Sequence, residues 1–169
     1  MLGYQSGQAL LEAGLLIDEG DLFSLTEEKL KKTDFFTTKS GALSANGAKL
    51  LANLEVAKTR PLDKFLVALS IRHIGKGVAP DVAAAFGDIE ALANATPEQL
   101  ATVEGIGPTL VTAIIDWFAE PWHREIVAKW KAAGCVMRNE PKVTREQTLT
   151  GLSVVVTGSV EGYTRDSAV

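Results

Sequence analysis

Apolar positions along this chain recur at helical intervals, and polar, glycine-rich stretches break them into short pieces. Residues 9–13 and 24–28 read as two short helical pieces around a turn at 17–21, with Gly14 ending the first and Thr26 capping the second. Residues 37–44 are polar and contain glycine, so they read as a loop that extends through the turn-forming pair Asn46-Gly47. A helix follows over 49–58, with Leu50, Leu51 and Leu54 on one face. Pro61 then opens a helix running to about Ile71. Another helix runs from Val78 to Phe86, with Val78, Val82 and Phe86 spaced by four, and Gly87 ends it. A short helix is expected over 88–95. Thr96-Pro97-Glu98 is a helix start for a piece running through 100–103, and a longer helix carries Leu110, Ile114 and Phe118 on one side. Residues 122–133 form an amphipathic helix capped by Gly134. The character changes after that: 140–148 reads as a polar linker, and Leu152-Ser153-Val154-Val155-Val156 reads as a buried strand. The fold class expected is mainly α, followed by a short α/β piece.

One unit occurs twice. A helix leads into Ile74-Gly75-Lys76-Gly77 and another helix; a second helix leads into Gly105-Ile106-Gly107 and a further one. Gly75 and Gly105 stand 30 positions apart. A helix start exposes backbone N–H groups and a partial positive charge, and a Gly-x-Gly turn can aim further N–H groups the same way. Glycine suits such a turn because it tolerates positive φ and leaves room for a phosphate to approach. Two such turns on a common core can grip both strands of a duplex through phosphates, without reading sequence. A helical protein-binding scaffold, in which the glycines only let helices pack closely, is the competing reading.

Composition qualifies this picture. The chain has 169 residues, 46% apolar, enough for one mid-sized or two small domains. Its net charge of −4 argues against coating nucleic acid by bulk positive charge. The charge is unevenly placed. Residues 58–80 hold Lys58, Arg60, Lys64, Arg72 and Lys76 against Asp63 alone, while Glu12, Asp18, Glu19, Asp21, Glu27 and Glu28 gather near the start. The single cysteine, Cys135, excludes an internal disulfide, and with two histidines it gives no metal-ligand cluster. Cys135 reads as a small apolar filler. No signal peptide is expected, and the apolar runs are too short to span a bilayer, so a cytoplasmic setting without membrane contact is expected. Among single residues, Arg72 is expected to face DNA or solvent, His73 to be packed or capping, Lys76 to touch phosphate or solvent, and Trp117, Trp122 and Trp130 to lie in the core. Asp116 invites comparison with the catalytic aspartate of helix-hairpin-helix glycosylases, but it lies too close to the Gly107 turn to face a flipped base.

The stretch from Val67 to Gly75, the turn Val103-Glu104-Gly105-Ile106-Gly107-Pro108 and the segment from Trp117 to Arg124 resemble the C-terminal half of bacterial NAD-dependent DNA ligases, most like actinobacterial ones. The resemblance implies four helix-hairpin-helix motifs over 1–139, a linker at 140–148 and the start of a BRCT domain at 149–169. The first motif would lie at residues 2–7, with its leading helix missing; the second would match 44–49 but departs from the Gly-x-Gly pattern. The DNA-binding set so implied is Gly3, Gly7, Asn46, Gly47, Lys49, Arg72, Gly75, Lys76, Gly77, Gly105, Gly107 and Thr109, with no catalytic residue among them. Thr157 and Ser159 match a turn that holds phosphopeptides in some BRCT domains, which the incomplete domain here makes a poor candidate. The resemblance also implies double-stranded and nicked DNA and the remaining ligase domains as partners, a role in sealing nicks during replication and repair, and a nucleoid-associated location in a bacterial cytoplasm. NAD, magnesium and zinc would belong to the parent enzyme, because this chain has neither a Lys-x-Asp-Gly motif nor four cysteines; alone it would be inactive. A DNA-binding region from another repair enzyme, an excision nuclease or a junction-binding protein, would share the turns but not the BRCT-like tail.

Overall fold

The computed structural model describes residues 3–139. The linker and BRCT-like expectations at 140–169 lie outside the described residues. The described part is helical, with two isolated bridges and no longer strand. Its helices are α1 (Tyr4–Glu12), α2 (Glu27–Leu30), α3 (Ala45–Lys58), α4 (Leu62–Ala68), α5 (Ala79–Phe86), α6 (Ile89–Ala93), α7 (Pro97–Ala101), α8 (Pro108–Ala119) and α9 (Pro121–Ala132), with single 3-10 turns at Glu19–Ser24 and Asp34–Phe36.

Local chemistry sets most of the boundaries. Thr26, Asp88 and Thr96 each cap the following helix by accepting from a backbone N–H, and Gln99 returns its side chain to the Thr96 N–H. Gly14, Gly87 and Gly134 end helices with φ of 65°, 73° and 92°. Three boundaries differ clearly from expectation, the first being α1, which begins at Tyr4 rather than at residue 9. Asn46-Gly47 is not a turn: Ser44 accepts from the Gly47 N–H at 3.2 Å, so α3 starts at Ala45. The Pro61 helix stops at Ala68 rather than Ile71, because Ser70 turns to φ 54°.

The core is continuous across the helices. Leu10, Leu30, Leu62, Leu66, Val82, Leu92, Leu100 and Ile114 are essentially sealed from solvent. α9 packs on the Glu19–Ser24 turn, where Trp130 sits edge-on to Phe23 at 5.4 Å and beside Phe65 at 5.9 Å. The Trp130 indole N–H donates to the Glu19 carbonyl at 2.8 Å, so its one polar atom is satisfied in the core. Lys129 reinforces the same junction, 2.8 Å from Asp18 and 3.2 Å from Asp21. The Ile17 N–H donated to Asp21 is the main cause holding that carboxyl below its ordinary pKa, and the Asp18 contact holds Lys129 above its own. Residues 135–139 form a strap that the sequence pattern does not announce. Val136 donates to Lys58, Ile89 to Met137, and Asn139 to Gly87; the Asn139 side chain accepts from Leu62 N–H at 3.2 Å and donates to the Ala83 carbonyl at 2.7 Å. One short segment thus ties the start of α4 to the end of α5. Cys135 on this strap is buried as expected, and burial pushes its thiol up to about 11.

Candidate nucleic-acid interface

α4 and α5 flank one hairpin, α7 and α8 the other, and the two turns are hydrogen-bonded alike. Ile74 N–H donates to Ile71 at 2.9 Å, as Ile106 N–H does to Val103 at 3.1 Å. Val78 and Ala79 both donate to the Gly75 carbonyl at 3.1 and 2.9 Å; Leu110 and Val111 both donate to Gly107 at 3.0 and 3.1 Å. Ser70 donates to Val67 and Thr102 to Gln99, both at 3.3 Å. These pairs are all 32 positions apart, so the sequence register of 30 is corrected. Gly75 is the counterpart of Gly107, Gly77 of Thr109, and His73 of Gly105. The buried isoleucines Ile74 and Ile106 coincide, as do Val82 and Ile114 in the helices beyond.

The corrected register changes what the glycines do. Only one of them, Gly105, has positive φ, at 82°. Gly75, Gly77 and Gly107 lie outside that region, so positive φ is not why glycine stands there. Close packing is not the reason either: a Cβ on any of the three would meet nothing within 4 Å. Gly20 and Gly47 show the contrast, where a Cβ would come within 2.5 Å of Lys129 and 2.6 Å of Leu43 respectively. At the hairpins the glycines leave open space on the outside of the molecule. Among the described residues, the N–H groups of Gly75, Lys76 and Gly77 find no acceptor, nor do those of Gly107 and Thr109. Each turn therefore offers outward N–H donors at the positive end of a helix, without side chains over the glycine positions.

The remaining site residues divide. Arg72, Lys76 and Thr109 are exposed beside these amides. Asn46 and Lys49 are exposed at the start of α3 and border, with Ser6 and Asn53, a cleft of about 260 Å³. Gly3 caps α1, but its N–H donates to Ser6 Oγ at 2.9 Å. Gly7 and Gly47 give their N–H groups to Gly3 and Ser44, and Gly47 is buried as well, so neither offers a phosphate an amide. The positive run of 58–76 also fails to form one strip. Lys58 pairs with Glu55 and Lys64 with Asp63, both at 2.7 Å, and Arg60 and Lys64 border a separate apolar cleft against Phe65 and Trp130. Among the described residues, Arg72 and Lys76 form no ion pair, which leaves them as the charge beside the first turn.

Two side chains depart from expectation. Trp122 is 52% exposed rather than core, with its ring 3.8 Å from that of His123. His73 is neither packed nor capping: it is exposed at φ 70°. A groove of about 620 Å³ joins the two hairpins, lined by Arg72 and His73 from the first, by Thr109, Thr112 and Asp116 from α8, and by Glu120 and His123 beyond it. His123 stacks on Trp117 at 4.2 Å and holds its carbonyl through Nδ1 at 2.7 Å, while Arg124 ties α9 back to Phe118 at 2.6 Å and Ala93 at 3.2 Å. Among the described residues no cluster of three His, Cys, Asp or Glu side chains could hold a metal ion, and no helix is long and apolar enough to cross a membrane.

A family model for the helix-hairpin-helix motif matches residues 64–127. That span takes in α4 from Lys64 onward, both turns and the first half of α9. Residues 64–127 are therefore a helix-hairpin-helix region, of the kind that suggests non-specific DNA binding.

Proposed function

We propose that this chain grips duplex DNA through phosphates on both strands, one at each hairpin, and that it does so as the DNA-holding region of an NAD-dependent DNA ligase. The observation that carries the first part is the pairing of open space with free amides. At Gly75, Gly77 and Gly107 neither backbone conformation nor internal packing calls for glycine, and the N–H groups at these positions have no partner among the described residues. An anionic group arriving from outside uses both features. The protein-scaffold reading needs the glycines to seat helices closely, and they do not. An amide cradle needs no formal charge, so a net charge of −4 is compatible with it, and Arg72 and Lys76 add local attraction.

The second part rests on the resemblance of Val67 to Gly75, of the 103–108 turn and of the 117–124 segment. In that role the region would hold nicked duplex for a catalytic domain elsewhere, in a bacterial cytoplasm near the nucleoid. The adenylated lysine, NAD, magnesium and zinc would all belong to that other part of the enzyme. Binding of labelled nicked, intact and junction DNA tests both parts. Preference for the nicked duplex with indifference to its sequence supports the ligase role; preference for a four-way junction supports a junction-binding protein instead. A reading frame upstream that encodes Lys-x-Asp-Gly followed by four cysteines would identify the parent enzyme, and a nuclease motif there would overturn that part.

A further inference from the structure

From the geometry we infer that His73 is itself a DNA contact, reaching the duplex between the phosphates held at the two hairpins. The inference rests on the DNA-binding reading above and adds a side chain to it. The hairpin requires a left-handed residue just before its isoleucine: Gly105 meets this at φ 82°, and His73 meets it at φ 70° in the corresponding place. Glycine takes that conformation freely; histidine takes it more readily than most side chains, but at some cost. Histidine therefore stands where glycine would fold more easily. Nothing inside the molecule repays the strain. The imidazole has no hydrogen-bond partner among the described residues, and the residue is exposed. Strain that the fold does not use points to a use outside it.

Its position supplies that use. His73 lies on the rim of the groove joining the hairpins, next to Arg72 and two positions before the free amide of Gly75, with Thr109 of the second hairpin on the same groove. An imidazole can donate to a phosphate oxygen as a neutral ring and more strongly as a cation. Asp116 and Glu120 line the same groove beyond Thr109, so a phosphate is favoured on the Arg72, His73 and Thr109 rim rather than along that stretch.

The test compares His73→Gly, His73→Asn and Gly107→Ala with the unaltered chain, measuring thermal stability and affinity for nicked duplex. His73→Gly is expected to melt at the same or a higher temperature, yet to bind roughly 10- to 100-fold more weakly, as loss of one hydrogen bond to a charged group implies. Asparagine also tolerates the left-handed region, so His73→Asn should fold equally well and likewise bind more weakly. A second readout separates contact from structure. The unaltered chain should gain affinity as pH falls from about 7.5 to about 5.5, where imidazoles acquire charge, and His73→Gly should lose most of that gain. Arg72, Asp116, Glu120 and His123 also line the groove. Carboxylates and guanidinium groups as classes do not change charge in that window. A pH gain retained in full by His73→Gly would belong to His123 and overturn the inference. So would unaltered binding by His73→Gly while Gly107→Ala binds weakly, which leaves the hairpin reading standing. Failure of the unaltered chain to bind DNA at all would overturn both.

Discussion

Replacing Gly107 by alanine separates a glycine kept for a ligand from one kept for the fold. Its backbone sits at φ −82° and ψ 170°, which alanine adopts without strain, and the added methyl meets nothing within 4 Å. Two small effects on stability remain, of opposite sign. Alanine restricts the unfolded chain, which stabilises by about 0.4–1 kcal/mol. It is also a poorer N-cap than glycine, which costs roughly 0.5 kcal/mol. The net change is about zero, so the melting temperature should move by no more than about 2 °C. Binding should respond differently. A methyl over the Gly107 amide keeps a phosphate from the N–H, and a hydrogen bond to a charged group is worth about 1.5–3 kcal/mol. The dissociation constant for nicked duplex should therefore rise roughly 10- to 100-fold. Thermal melting and fluorescence anisotropy on the same preparation give both numbers. Unchanged melting with unchanged affinity would refute the phosphate role; a large drop in melting temperature would refute the claim that the position is open.

Other outcomes follow from the packing and the shifted groups. Gly20→Ala should destabilise by about 1–3 kcal/mol in a denaturant titration, because the new Cβ would crowd Lys129 and press within 3.3 Å of the Ile126 backbone. Asp21 is held below its ordinary pKa of 3.8, so its contribution is present above that value and lost as pH falls through the lower folded one. Asp21→Asn should therefore lower stability at neutral pH and flatten the acid limb below about pH 4. Cys135, with its thiol at about 11 against an ordinary 9.0, favours folding below pH 9, and that contribution fades as pH rises toward 11. Near neutral pH its alkylation by iodoacetamide should be slow and should track unfolding; rapid labelling of folded protein would contradict its burial.

Much of this arrangement is legible in the residues. Helix starts at Thr26, Asp88 and Thr96 and stops at Gly14, Gly87 and Gly134 follow from capping chemistry within a few residues. The shared Gly-x-Gly pattern of Gly75-Lys76-Gly77 and Gly105-Ile106-Gly107 suggests a register of 30. The fold aligns buried isoleucines instead, and a left-handed residue can be histidine as well as glycine. Asn46-Gly47 resembles a turn in isolation, yet Ser44 three positions before Gly47 is the signal that a helix has begun. The early end of α4 has no such signal, since an apolar run continues through Ile71 and Ser70 carries no mark of its conformation. Ion pairs formed locally, Lys58 with Glu55 and Lys64 with Asp63, thin the basic run that a count of charges suggests. The strap at 135–139 is invisible in periodicity because it works through backbone bonds and the Asn139 amide, over distances of up to 78 positions, from Lys58 to Val136.

The central claim is that the hairpin region holds duplex DNA by its phosphates without reading sequence, and the salt dependence of duplex binding tests it most directly. Each phosphate neutralised contributes about 0.9 to the slope of log affinity against log salt. Arg72 and Lys76 stand beside the first turn, and two such cations neutralising phosphates give an expected slope of about −2, the same for unrelated sequences. A slope near zero, or no binding at low salt, would contradict it.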